Sequence, residues 1–367
     1  MSTDLARVSA PAPARESAGQ PQRPAAPAAS PARPDPPDRV LVEMLMGGRI
    51  QQAIYAAAAL GVADVLANGP MEVEEIARRT GAHAGALRRL LRTLAGYGIF
   101  AEEETARFAL TPMASLLRTG AAMSLKPVAI WCGTVAHRVF GDIEHTIRTG
   151  TPAFDHAFGM EFFDYLDAHR DVGALFDAFM ARQTAAIAAV LPAAYAFERV
   201  GTLVDVGGGR GQLLAAILKA FPSMRGILFD RPRLIGDARE YLERAGVVDR
   251  CAIVAGDIAV SVPSGGDAYL LKSIVHGVDD ETALAWLRKC RDAMPDGARL
   301  LLVEMVLPTG NAPHPSRLMD LLMLVGTQGG RERTEAEFES LLARAGFTLS
   351  RIVRTASPYS VVEALRA

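Results

Sequence analysis

The stretch LVDVGGGRGQLL, residues 203–214, decides the fold. It reads as a buried strand closing on Asp205, then Gly207, Gly208, Gly209 and Gly211, then the start of a helix. Glycines at such a turn let the backbone reverse tightly and let a ligand come close to it. A second acidic residue, Asp230, closes the next apolar run roughly 20 residues on, where a carboxylate can take a ribose diol. Gly256 and Asp257 follow the third run. Together these mark a nucleoside-type ligand at the carboxyl ends of parallel strands.

The glycine spacing separates two cofactors. A dinucleotide fingerprint wants GxGxxG, and counted from Gly207 its third glycine falls on Gln212. Here the third glycine is Gly211. Asp205, just ahead of the turn, suits a ligand with a cationic amino-acid end better than a pyrophosphate. S-adenosylmethionine (SAM) is therefore expected rather than a nicotinamide. Outward from the turn, strands are expected at 202–206, 226–229, 252–254, 268–271, 299–306, near 347–353 and at 360–364, with helix-length amphipathic segments between most of them. That alternation predicts an α/β fold with a parallel sheet covered on both faces.

The N-terminal part is built differently. Residues 1–37 are rich in Ala and Pro and poor in large apolar side chains, which predicts a disordered tail. Residues 40–66 carry apolar residues at helical spacing, interrupted at Gly47-Gly48, and are apolar on more than one face, which predicts burial against a second copy of the chain. Residues 71–112 predict helix, turn at 81–83, helix over 84–97 and two short strands, a winged helix-turn-helix pattern. A DNA-binding regulator is the rival that pattern raises. Against it, the wing is acidic at Glu102, Glu103 and Glu104, and the helix apolar positions Leu87, Leu90, Leu91 and Leu94 read as core. Residues 123–191 read mostly helical, with aromatics concentrated in 152–166.

Composition narrows the partners. A net charge of -2 gives no general attraction to nucleic acid or an anionic membrane. Three widely spaced cysteines, Cys132, Cys251 and Cys290, predict reduced thiols rather than a disulfide framework or zinc site, as in a cytoplasmic protein. The apolar runs at 53–60 and 300–307 are too short to span a bilayer. No His, Asp and Glu cluster at metal-ligand spacing is visible, so no metal is expected.

From about Asp38 onward the chain resembles the plant-type small-molecule O-methyltransferases, the caffeate and flavonoid enzymes and their bacterial natural-product relatives. The matching pieces are LVDVGGGRG, FDRP (229–232), GDI (256–258), LLKSIVHGVDDE (270–281), LLVEMVLP (301–308) and GGRERTEAEFESLL (329–342), with RIQQAIYAAAALGVADVL and RTGTPAFDHAFGMEFFDYL in the helical part. The resemblance implies a Rossmann-like SAM-dependent methyltransferase domain over 171–367, preceded by a mostly helical winged-helix dimerisation domain over 38–170, in a cytoplasmic homodimer. It implies that Gly207 and Gly209 line SAM, that Asp230 holds its ribose, that Asp257 and Ile258 beside Gly256 frame the adenine, and that Lys272 packs nearby. It implies His276 as general base with Glu304 and Glu332 flanking its ring. Met180 and Met323 are the implied walls of an aromatic substrate, followed by Trp131, Phe154, Phe158, Phe163 and Asp320.

One position departs from the family. Asp or Asn usually follows the base, and here Gly277 and Val278 do, before Asp279-Asp280 resume the pattern. The change removes a hydrogen bond to the acceptor and opens space beside the base, which points away from caffeate and toward a bulkier or more acidic hydroxyl. N-methylation and a non-methylating SAM-binding chemistry remain alternatives on the same fold.

Overall fold

The computed structural model describes residues 36–121 and 123–367. The expected tail lies almost wholly outside these residues. Residues 37–59 form one helix, Gly47-Gly48 included, and the chain turns instead at Gly61, whose φ of 70° is left-handed. From Gly48 onward the chain forms one compact unit.

Three short strands, β1 (Met71–Glu72), β2 (Phe100–Glu104) and β3 (Arg107–Leu110), make the wing, in order β1-β3-β2. Two helices, Val73–Thr80 and Ala84–Gly96, lie between β1 and β2, and the ring of His83 caps the second by accepting from the Ala86 amide at 3.3 Å. Leu87, Leu91 and Leu94 are fully buried on one face of that helix, as their spacing requires, with Leu90 at the margin. Glu102 turns inward to accept the Ala106 amide, while Glu103 and Glu104 stay exposed.

The larger sheet has seven strands, β4 (Thr202–Val206), β5 (Arg225–Asp230), β6 (Cys251–Ala255), β7 (Ala268–Lys272), β8 (Arg299–Glu304), β9 (Phe347–Arg354) and β10 (Ser360–Arg366). Their order is β6-β5-β4-β7-β8-β10-β9. Strands β4 to β8 run parallel, but β10 is antiparallel to both β8 and β9. The expected parallel sheet is thus present in β4 to β8, with β10 the one reversed strand. Only residues 355–359 join β9 to β10, too few for a crossover helix, so the pair closes as a hairpin. All five residues of β7 are buried, as a central strand covered on both faces demands. Strand order reverses between β4 and β7, and at such a switch point the loops part to leave a crevice beyond the strand ends.

Two apolar cores lie on the two faces of this sheet, one holding Leu203, Leu228 and Leu301, the other Val204, Tyr269 and Leu302. A separate aromatic core gathers Trp131, Phe154, Phe179 and Val325. The stretch Arg170–Ala194 is long and apolar enough to cross a membrane by length and composition, a segment the sequence reading did not weigh. Its apolar side chains serve two cores: Phe179 enters the aromatic one, and Ile187 and Leu191 the sheet core.

Candidate active site

The glycine turn is stapled to the neighbouring strand. Gly207 has φ 74° and donates to the Phe229 carbonyl on β5 at 2.8 Å. A side chain on Gly208 would run into the Asp205 carboxylate and Leu228, whereas Gly209, at φ 57°, faces open space. The Gly209 and Arg231 amides each donate to the Asp230 carboxylate at 2.7 Å. Asp205 is 2% exposed, and its Oδ2 has no hydrogen-bond partner. Burial, reinforced by the Asp230 charge, pushes Asp205 up to about 7. Burial also raises Asp230, against the pull of its two amide donors. An orphaned, buried carboxylate oxygen below an open glycine fits a ligand that brings a cationic end and ribose hydroxyls, as SAM does.

Gly256 follows β6, and its amide donates to the Asp230 carbonyl at 3.0 Å; a Cβ there would strike the Phe229 ring. Asp257 is exposed and accepts the Ala259 amide at 2.8 Å, which shapes the turn, while Ile258 packs half-buried against the sheet core. Lys272, closing β7, is buried with its Nζ 3.4 Å from Thr184 Oγ1 and 5.4 Å over the Tyr359 ring. Burial pulls its ammonium down to about 8, although Glu304 and Asp205 oppose this. Thr184 lies one turn after Met180 on the helix Arg170–Ala188, so both look out from one face.

His276 sits in a single turn, Val275–Gly277, just beyond β7. Glu304 closes the adjacent strand β8, and its Oε1 accepts the Ile274 and Val275 amides at 3.0 and 3.1 Å, which fixes the loop carrying the histidine. Glu332 Oε1 lies 2.8 Å from His276 Nδ1, and Glu304 Oε2 lies 4.0 Å from the same nitrogen. The imidazole is 13% exposed and both carboxylates are fully enclosed. Burial disfavours the charged ring, but the Glu304 charge and the Glu332 hydrogen bond outweigh it and hold His276 above the ordinary histidine value. Burial pushes Glu304 up to about 7, with the His276 charge acting against it. Glu304 Oε2 and Glu332 Oε2 have no hydrogen-bond partners.

These three side chains bring ligand atoms within 4.8 Å of one another, a spacing that could hold a metal ion. The expectation that no such cluster exists near the site is corrected. Its members come from three segments far apart in sequence, so no local spacing could reveal it.

Four consecutive residues complete the catalytic end. The Arg331 amide donates to the His276 carbonyl at 2.8 Å, Glu332 holds the ring, and Thr334 starts the helix Glu335–Ala345 through a reciprocal capping box with Glu337. Between them Arg333, quoted above only as part of a motif, is one of the largest fully buried side chains. Sequence carries no local sign that one arginine of RERT is interior. A Cβ on Gly330 would stand 2.8 Å from the His276 carbonyl oxygen, whereas a Cβ on Gly277 would meet nothing within 4 Å.

The implied substrate residues divide. Asp320 Oδ1 accepts the Glu332 amide at 2.9 Å, and Met323 lies half-buried one turn further along the helix Pro315–Gly326. Trp131, 4% exposed, stacks on Phe179, and Phe154, 1% exposed, packs on Phe158, Phe162 and Tyr165. Met180 borders that aromatic core. Phe158 carries the Arg138 guanidinium 4.4 Å above its ring. Phe163 is 45% exposed and lies outside the core, under the guanidinium of Arg231, the residue after Asp230.

Comparison with known proteins finds two family matches along the chain. The family described as O-methyltransferase domain matches residues 140–348, and that described as O-methyltransferase dimerisation domain matches residues 42–120. A phenazine O-methyltransferase of Lysobacter antibioticus is 44% identical over 90% of this chain and 96% of its own. A phenazine-1-carboxylate N-methyltransferase of Pseudomonas aeruginosa is 33% identical over 90% of this chain and 97% of its own. Among solved structures, an O-methyltransferase from neocarzinostatin biosynthesis, in complex with SAM and 2-hydroxy-5-methyl naphthoic acid, superposes with a TM-score of 0.75. It is 32% identical, covering 86% of this chain and 96% of its own.

Proposed function

Since the chain belongs to the O-methyltransferase family and is a SAM-dependent methyltransferase of small molecules, we propose that its reaction is methylation of a hydroxyl on an aromatic secondary metabolite, with His276 as the base. The observation that carries this is the ring's placement: both carboxylates meet Nδ1, which leaves Nε2 to take the acceptor's proton.

Bound SAM supplies an electrophilic methyl group on sulfur. Asp230 would hold its ribose and Asp205 would answer its cationic end, with Gly207 and Gly209 giving it room. Gly256, Asp257 and Ile258 would border the adenine. A simple phenol ionises near pH 10, as tyrosine does, so a base that takes its proton exposes the attacking oxygen. Glu332 fixes the tautomer with the proton on Nδ1, and Glu304 and Glu332 together stabilise the imidazolium that forms. Such a base contributes about 10²–10⁴-fold. The short contact between Nδ1 and Glu332 pairs two of the three groups with each other, and a histidine base needs no metal to take a proton, so the reading is metal-independent. Dialysis against a chelator should leave turnover unchanged.

The acceptor class rests on two supports. Met180 and Met323 are adaptable, polarisable surfaces suited to a flat ring, and the relatives named above act on, or bind, fused aromatic molecules. Trp131, Phe154 and Phe158 would stiffen the wall behind Met180, and Phe163 would cover the cofactor side. Asp320 would act through the Glu332 backbone. The same reading makes the enzyme a cytoplasmic homodimer, dimerised through the domain at 38–170 and catalytic in 171–367. The second reading, N-methylation, is favoured by the 33% identical N-methyltransferase, and it needs less from a base.

The test is incubation with SAM and a panel of hydroxylated phenazines, naphthoates and quinones, with mass spectrometry for one added methyl. Tight SAM binding with no methyl transfer to any of them would sink the reading. Transfer to amines alone would move it to nitrogen.

A further inference from the structure

Arg333 is 1% exposed, and a guanidinium cannot shed its charge, so every contact it makes inside the protein has to answer that charge. All but one of its partners lie on the loop that carries the base or at the start of the helix that follows it. Nη1 donates to the Val275 carbonyl at 2.7 Å and Nη2 to the Val278 carbonyl at 3.3 Å, the two carbonyls that bracket His276-Gly277. Nε and Nη2 both donate to Asp280 Oδ1, at 3.1 and 2.7 Å. The remaining contact, from Nη1 to the Arg331 carbonyl at 3.4 Å, ties the group back to its own segment. On either side, the Arg331 amide holds the His276 carbonyl and Glu332 holds the His276 ring.

We propose that Arg333 is a positioning residue for the base: its planar guanidinium spans residues 275–280 and fixes the height and angle at which His276 meets Glu332. The inference rests on His276 being the base. Its physical basis is the glycine after the histidine. Gly277 has no side chain to brace the loop, and nothing lies within 4 Å of where a Cβ would be. The loop's geometry is therefore set from below, through its carbonyls. A lysine could not reproduce this, because a single ammonium cannot reach two carbonyls and a carboxylate lying in one plane. Asp280 answers the charge: Arg333 holds its carboxyl below the usual range although burial works the other way. Its own side chain is 39% exposed, so its loss is milder than that of the arginine.

The experiment compares Arg333→Ala, Arg333→Lys and Asp280→Asn with wild type on three readouts: kcat and KM for the acceptor, SAM affinity by calorimetry, and titration of the His276 ring by NMR on histidine-labelled protein. Arg333→Ala should lower kcat about 10²-fold, the scale of a misplacement near 1 Å, with SAM affinity unchanged. The His276 titration should move toward the ordinary histidine value, and added guanidinium should restore part of kcat. Arg333→Lys should recover little. Asp280→Asn should shift both kcat and titration in the same direction by a smaller amount. A folded Arg333→Ala enzyme with wild-type kcat and titration overturns the proposal, as does loss of SAM affinity in proportion to kcat. If Arg333→Ala does not fold, an Asp280→Asn enzyme unchanged in both readouts overturns it. Full activity in His276→Ala would instead remove the base, while a shifted His276 titration in the arginine variants would still stand.

Discussion

The two ends of the site occupy one edge of the sheet and are built by opposite means. The cofactor end is local: Asp205, Gly207 and Gly209 fall within a single turn, and Asp230 closes the next strand. The catalytic end is assembled from β7, β8 and the RERT loop. Both hold buried oxygens with no hydrogen bond, Asp205 Oδ2 at one and the Oε2 atoms of Glu304 and Glu332 at the other. On the proposed mechanism, the missing positive charge arrives with the ligand at the cofactor end, and at the catalytic end it arises on His276 as the acceptor's proton is taken. One end waits to be completed, and the other is fixed before anything binds, which is the form electrostatic preorganisation takes.

Mutations should separate the two ends. The largest effect is expected from His276→Ala, a fall in methyl transfer of about 10²–10⁴-fold with SAM affinity unchanged. Parallel kinetics and calorimetry check it, and equal losses in both would show that the ends are not separable. Asp230→Ala is the mirror image. Losing hydrogen bonds to a charged group at about 1.5–3 kcal/mol each should weaken SAM binding by about 10²-fold, with kcat at saturating SAM nearly intact.

The next effect is a change of pH profile. A protonated His276 cannot accept a proton, and its raised value means activity is lost as pH falls below a midpoint above the usual histidine range. Glu332→Gln removes one of the carboxylates that raise it, so the midpoint of kcat/KM should drop toward the ordinary value and kcat should fall about 10-fold, within the scale of base catalysis. A midpoint that does not move would count against Glu332 as its partner. The smallest effect is on stability. Burial pushes Asp205 up to about 7, above its unfolded value, so its contribution is full only below the ordinary carboxyl range and is lost progressively as pH rises from there to about 7. Asp205→Asn should raise the melting temperature of the ligand-free protein by a few degrees at pH 8, by clearly less at pH 5 and hardly at pH 3.5, while weakening SAM binding. Thermal scans at the three pH values decide it.

The same contrast explains what sequence could tell. The glycine turn, the strand ends at Asp205 and Asp230 and the helix face Leu87–Leu91–Leu94 follow from spacing within one element, and each was legible. The antiparallel β10 was not, because strand direction depends on the length of a connection rather than on the strand's own residues. Arg333 was not, because burial of a charge is decided by Val275, Val278 and Asp280, far away in the chain. The His276, Glu304 and Glu332 set became visible only by resemblance, and its metal-like spacing only in three dimensions. Trp131 and Phe154 show the converse limit: an aromatic cluster can be recognised from composition, but which ring faces a ligand and which faces other rings is settled by packing.

Two glycines in van der Waals reach of the same loop carry opposite constraints. Gly330 admits no side chain, since even one carbon would press on the carbonyl of the base, while Gly277, one residue from that base, has empty space beside it. No side chain fits at the first unless its neighbours move, while the second has room for one. On the proposed mechanism, position 277 is where acceptor preference could be redesigned in the laboratory, with kcat and the His276 titration reporting any effect on the base. On that reading the chemistry is held rigid on one side of the histidine and the choice of molecule stays adjustable on the other.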